Sequence, residues 1–133
     1  MTAALVAMQD AGVQIEAATR ANNADRVSTL EKAGIKVHTL PFSGALDVYT
    51  PWKLKEIIKG FSPLIVQTWM ARAAKKTPGW AQAQTPQRYL TFARLGGYYK
   101  VKNFRTTDRF VTITPDLKRH LADGGVGEDL IRM

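Results

Sequence analysis

Apolar and polar positions switch between two periods along the chain. Leu5, Met8 and Ala11 recur at helical spacing and stop at Gly12. Val13 to Thr19 then alternates, as a half-buried strand does. After a polar loop from Arg20 to Asn23, Val27, Leu30 and Ala33 share one helix face that ends at Gly34. Ile35 to Leu40 alternates again and is closed by Pro41. Thr50-Pro51 supplies a cap and a first-turn proline for a helix carrying Leu54, Ile57 and Ile58 and stopping near Gly60.

The second half repeats the rhythm. Leu64-Ile65-Val66 is a continuous apolar run, which predicts a strand covered on both faces. A short helix is expected from Met70 to Lys76, broken by Thr77-Pro78-Gly79, with a polar loop to about Arg88. Tyr89 to Ala93 reads as a fourth strand. Gly96-Gly97 turns the chain into a helix bearing Tyr98, Val101 and Phe104 or Arg105. Phe110 to Ile113 is a fifth strand, and Thr114-Pro115 opens a helix with Leu117 and Leu121 that ends at Gly124-Gly125. Five strands alternating with helices through short loops predict an α/β fold, with a parallel sheet and helices on both faces. No repeat, low-complexity stretch or domain boundary interrupts the pattern.

At 133 residues the chain has room for one domain, and the 45% apolar fraction suffices for a core. There is no cysteine, which excludes disulfides, thiolate metal sites and cysteine nucleophiles. With only His38 and His120, far apart in sequence, a metal centre is not expected. The reducing cytoplasm is the natural compartment for such a chain. No stretch reaches the ~20 apolar residues of a membrane span.

Charge adds the sharper signal. The net charge is +8, and residues 71 to 109 hold nine Lys and Arg against Asp108 alone. That one segment accounts for the whole surplus. It is read as a surface that gathers an anionic partner, against the alternative of a set of solvated helix faces.

In parallel sheets ligands sit beyond the carboxyl ends of the strands, where helix amino ends offer free N–H groups. Neither phosphate-loop signature is present, Gly124-Gly125-Val126-Gly127 follows a helix and reads as its cap, and Ser28, Ser43 and Ser62 lack a base. The carboxyl-end stretch Ala93 to Lys102 stands out instead. Gly96 and Gly97 permit close approach to the backbone, Arg94 offers a two-pronged donor to phosphate or carboxylate, and Tyr98 and Tyr99 suit sugar or lipid surfaces. The alternative is a tight turn with Tyr98 in the core. Trp69, ending another strand, is either core or a pocket wall.

In order, Val66-Gln67-Thr68-Trp69-Met70-Ala71-Arg72-Ala73, Ala93-Arg94-Leu95-Gly96-Gly97-Tyr98-Tyr99 with Lys102, Arg105 and Asp108, and Thr112 to Asp116 resemble the N-terminal domain of family 4 retaining glycosyltransferases. The likeness is to members of the two-domain GT-B type that build lipopolysaccharide cores. It covers nearly the whole chain, and Arg94 to Tyr99 is its most specific part. The resemblance implies a Rossmann-like domain lacking the family's first strand and its donor-binding C-terminal domain, and hence a fragment inactive alone. The full enzyme would move sugar, without metal or cofactor, from a nucleotide-diphosphate sugar to an envelope glycan or lipid-linked acceptor. Relatives often carry His-x-His where Gln67-x-Trp69 stands, and another histidine near Ala93-Arg94, so no catalytic residue transfers to this chain.

On this reading Trp69, Arg72, Arg94, Gly96, Gly97, Tyr98, Tyr99 and Lys102 face the anionic acceptor. Lys75, Lys76, Lys100, Arg105 and Arg109 would touch an anion or an anionic membrane surface, placing the protein in the cytoplasm or peripherally on the inner face of the plasma membrane. The competing expectation is a small basic nucleic-acid-binding α/β domain, which would need the nine bases on one face with aromatics between them.

Overall fold

Helix punctuation follows the glycines. In the computed structural model, which describes residues 2–20, 22–44, 46–69 and 71–132, Gly34 and Gly125 follow helices with φ of +87° and +99°, a region costly for side-chain-bearing residues. Met1, Ala21 and Met70, which fall in an expected helix, loop and helix start, lie outside the described residues. The chain forms two compact units, Met1–Thr50 and Pro51–Met133. Their boundary falls inside a helix, so no linker composition marks it in the sequence.

The first unit holds α1 (Thr2–Asp10), β1 (Glu16–Thr19), α2 (Ala24–Lys32) and β2 (Lys36–Thr39). β1 and β2 pair in parallel, from Glu16 opposite Lys36 to Thr19 opposite Thr39. Asn23 caps α2 by accepting from the Arg26 N–H at 3.0 Å. Ala17, Leu30 and Ile35 form the buried centre, and Leu5, Val6, Ile15, Ala33 and Val37 pack on it. The His38 imidazole meets Glu16 at 2.7 Å.

α3 (Tyr49–Phe61) spans the boundary. It begins one residue before the expected cap. Asp47 accepts the Thr50 N–H at 3.1 Å, and the Thr50 hydroxyl, wholly buried, accepts from the Phe42 N–H.

The second unit continues with β3 (Ile65–Thr68), α4 (Ala71–Lys76), α5 (Trp80–Ala83), β4 (Leu90–Leu95), a one-turn 3-10 helix (Val101–Phe104), β5 (Arg109–Thr112), α6 (Pro115–Asp123) and β6 (Ile131–Arg132). The strands lie in the order β3-β4-β5-β6, all parallel. Thr114 caps α6 through the Leu117 N–H at 3.2 Å with Pro115 behind it, as expected.

β4 alternates strictly: Thr91, Ala93 and Leu95 are buried, and Leu90, Phe92 and Arg94 are half-buried on the other side. Ala74, Ala93, Leu95, Phe104, Phe110, Leu121 and Ile131 form one cluster. Ile58, Ala83 and Tyr89 form another, with Val66 and Trp80 against it. Both clusters use the Thr91–Ala93–Leu95 face. β3, β4, β5 and β6 step in one direction, so crossovers of one hand all land on one side of the sheet.

Other differences from expectation are equally local. The described strands form a two-stranded and a four-stranded sheet rather than one. Leu64 and Ile65 are 69% and 57% exposed because β3 is an edge strand, not a doubly covered one. The helix expected from Tyr98 is a single turn, since Thr106 and Asp108 tie the following chain to Thr77 and Thr91. α5 replaces part of an expected loop, and β6 pairs where the resemblance implied the approach to a linker.

Candidate functional site

Two basic patches emerge in the second unit, on opposite sides of its sheet. The first lies at the carboxyl ends of β3 and β4. Thr68 pairs with Ala93, which brings the next residues, Trp69 and Arg94, side by side. The Arg94 guanidinium lies 4.7 Å from the Trp69 ring centroid, a stacking that holds the planar group flat while leaving its N–H edges open. Arg94 is half-buried and makes no hydrogen bond or ion pair among the described residues. A fork-shaped cation fixed on a rigid strand suits two-pronged binding of carboxylate or phosphate.

Next come Gly96 and Gly97. A Cβ at Gly96 would meet nothing within 4 Å, and one at Gly97 would only reach the Tyr99 ring. Neither has a positive φ, so openness rather than backbone conformation is what these glycines provide. Tyr98 is 65% exposed and stands edge-on to His120, with ring centroids 5.5 Å apart. Tyr99 packs toward Phe104, and its carbonyl lies 2.7 Å from His120 Nε2. The tight-turn alternative, with Tyr98 in the core, is thereby reversed: Tyr98 points outward and Tyr99 inward.

The second patch lies on the helix-bearing side. A cleft of about 310 Å³ is lined by Ala74, Lys75, Lys102, Asn103, Arg105 and Thr106. Lys102 therefore joins Lys75 and Arg105, and neither Arg94 nor Trp69 lines this cleft. Asn103 and Thr106 were not singled out from the sequence. The signal was present, because Val101 and Phe104 facing the core turn Lys102, Asn103 and Arg105 outward.

The remaining predicted residues are dispersed. Arg72, on α4, and Lys100 are exposed. Lys76 is half-buried in the last turn of α4. Arg109 shares the Arg94 side of the sheet and donates to the Asp108 carbonyl at 2.9 Å. Arg88 stacks over Trp80 at 5.1 Å. Asp108, the lone acid of the basic segment, is engaged by the Thr91 N–H at 2.9 Å and the Thr91 hydroxyl at 3.1 Å. It neutralises none of the cleft's cations.

Tyr89 is fully buried. Its hydroxyl donates to the Pro78 carbonyl at 2.8 Å, and burial, helped by the Asp108 charge, pushes its pKa up to about 12. Among the described residues no group of three metal-ligating side chains exists, and no helix is long and apolar enough to cross a membrane. No family model, curated protein or solved structure matches the chain.

Proposed function

We propose that this chain is the acceptor-side half of a retaining, metal-independent glycosyltransferase with a Rossmann-like fold. On this reading a nucleotide-diphosphate sugar is the donor, bound largely by a second domain, and an anionic envelope glycan or lipid-linked sugar is the acceptor. The carrying observation is Arg94 stacked on Trp69 at the carboxyl ends of β3 and β4, beside open Gly96 and exposed Tyr98. Aromatic faces match the C–H faces of a sugar ring, and the guanidinium matches its phosphate or carboxylate. This position in a parallel α/β sheet is where substrates of such folds bind.

The reading assigns orientation of the acceptor to Trp69, Arg94, Gly96, Gly97 and Tyr98; Lys102, which lines the cleft on the other side of the sheet, and Tyr99, which packs inward on Phe104, are left out of that set. Arg94 stays protonated and serves as an electrostatic anchor rather than a base. Work in the cytoplasm or at the inner membrane face fits a +8 chain attracted to anionic lipid.

Calorimetric titration with a phosphorylated hexose, its unphosphorylated parent and a nucleotide sugar tests the proposal. The phosphorylated sugar should bind best, and Arg94→Gln should weaken it about ten-fold or more, the loss of a charge-assisted hydrogen bond of about 1.5–3 kcal/mol. Equal binding of the phosphorylated and parent sugars, or no effect of Arg94→Gln, would refute it.

A further inference from the structure

We propose that the cleft between α4 and the 3-10 turn is a separate binding site for a phosphate monoester or diphosphate group, held by Lys75, Lys102 and Arg105 with Asn103 as a neutral donor. This site stands apart from the acceptor reading, since it lies on the other side of the sheet and shares neither Arg94 nor Trp69.

Charge comes first. Three cations line one cleft of about 310 Å³, and no carboxylate lines it with them. The side chains of Lys75, Lys102, Asn103 and Arg105 form no hydrogen bond or ion pair among the described residues. Like charges held together without a counterion repel one another, and a bound dianion relieves that repulsion while accepting several hydrogen bonds at once.

Rigidity comes second. Phe104 is buried in the main cluster and Val101 packs against it, which fixes the turn bearing Lys102, Asn103 and Arg105. Beyond it, the Thr106 hydroxyl donates to the Thr77 carbonyl at 2.9 Å, and the Thr106 carbonyl accepts from the Thr91 hydroxyl. Gly79 sits so close that a Cβ there would lie 3.2 Å from the Thr106 carbonyl oxygen. Because its proton is committed to Thr77, the Thr106 hydroxyl leaves donation in the cleft to the cations and Asn103. The backbone under the cations is thus set before any ligand arrives, which lowers the ordering cost of binding.

Size decides between ligand classes. The volume is at the bottom of the range for small-molecule sites, about 300–1,000 Å³. It accommodates a headgroup, whereas a nucleic-acid strand needs a track of cations and stacking rings. The aromatic residues of this segment stand elsewhere: Phe104 is buried, and Tyr98 faces His120.

The test uses the whole chain with pyrophosphate as probe, followed by amide chemical shifts, and in parallel sedimentation with vesicles of phosphatidic acid or of phosphatidylcholine alone. Pyrophosphate should shift the Asn103 and Thr106 amides saturably, and Lys102→Gln/Arg105→Gln should weaken binding about ten-fold or more. The control pair Lys55→Gln/Lys59→Gln, on α3, removes the same charge and should weaken it far less. Pyrophosphate binding without vesicle binding identifies a soluble phosphate ester. Phosphatidic-acid vesicle binding lost in the same cleft variant identifies a lipid headgroup. Either supports the site, since the variant side chains are exposed and circular dichroism of the variant checks that it folds. Absence of both, or equal weakening by the control pair, overturns it.

Discussion

The two units of this protein divide its chemistry unequally. Residues 1–50 carry four Lys and Arg against five Asp and Glu, a net −1, whereas residues 51–133 carry fifteen against six, a net +9. The buried aromatics lean the same way, with Phe42 in the first unit and Tyr89, Phe104 and Phe110 in the second. The first unit centres on Ala17, Leu30 and Ile35, and α1 buries no residue; the second packs Tyr89, Phe104 and Phe110 under its sheet. A surface crowded with uncompensated cations repels itself, and it persists where a larger apolar core and a network of threonine hydrogen bonds hold the backbone beneath it. Both candidate sites therefore sit on the better-anchored unit.

Deleting the aromatic centre is the strongest way to break this comparison. Phe110→Ala should remove about 3–5 kcal/mol of stability, seen as a lowered urea midpoint. Amide exchange should show α1 already opening readily in the unsubstituted protein, since it has little buried surface to protect it.

Alkali should act next, through Tyr89 in the second unit. Tyr89 has a folded pKa of about 12 against an ordinary 10.0, so the folded state holds its proton more tightly. Its contribution is complete below pH 10 and falls away as pH rises through 12, a loss of roughly 2–3 kcal/mol. Tyrosinate absorbance titrated alongside circular dichroism checks this, and Tyr89→Phe should flatten that alkaline limb.

The caps give the smallest effect and sharpen the comparison. Thr114→Ala in α6 and Asn23→Ala in α2 remove equivalent bonds, to the Leu117 and Arg26 N–H groups. Each should cost about 1 kcal/mol by thermal melting. A much larger loss at Thr114 would mean that α6 alone carries the second unit.

The sequence made the element alternation, the parallel pairing and most helix ends legible, because glycines, threonine caps and prolines act locally. Sheet membership was not legible. Whether Leu64-Ile65-Val66 is central or at an edge depends on which strand pairs beside it, and a continuous apolar run looks the same in both settings. The site divided for a related reason. Arg94 and Lys102 are eight positions apart, yet a strand's alternation sends Arg94 away from Ala93 and Leu95 while Phe104 anchors the Lys102 turn on their side. The threonine network around Asp108 escaped notice because threonine in a strand reads first as a β-former.

The account's central claim is that Arg94 and Trp69 together form the anchor for an anionic sugar. Two-dimensional spectra of the chain titrated with a phosphorylated hexose read this out at the Trp69 indole N–H. The account predicts a saturable shift of that signal and of the Gly96 and Gly97 amides, abolished by Arg94→Gln. Shifts that persist in Arg94→Gln, or that appear only among residues 1–50, would contradict it.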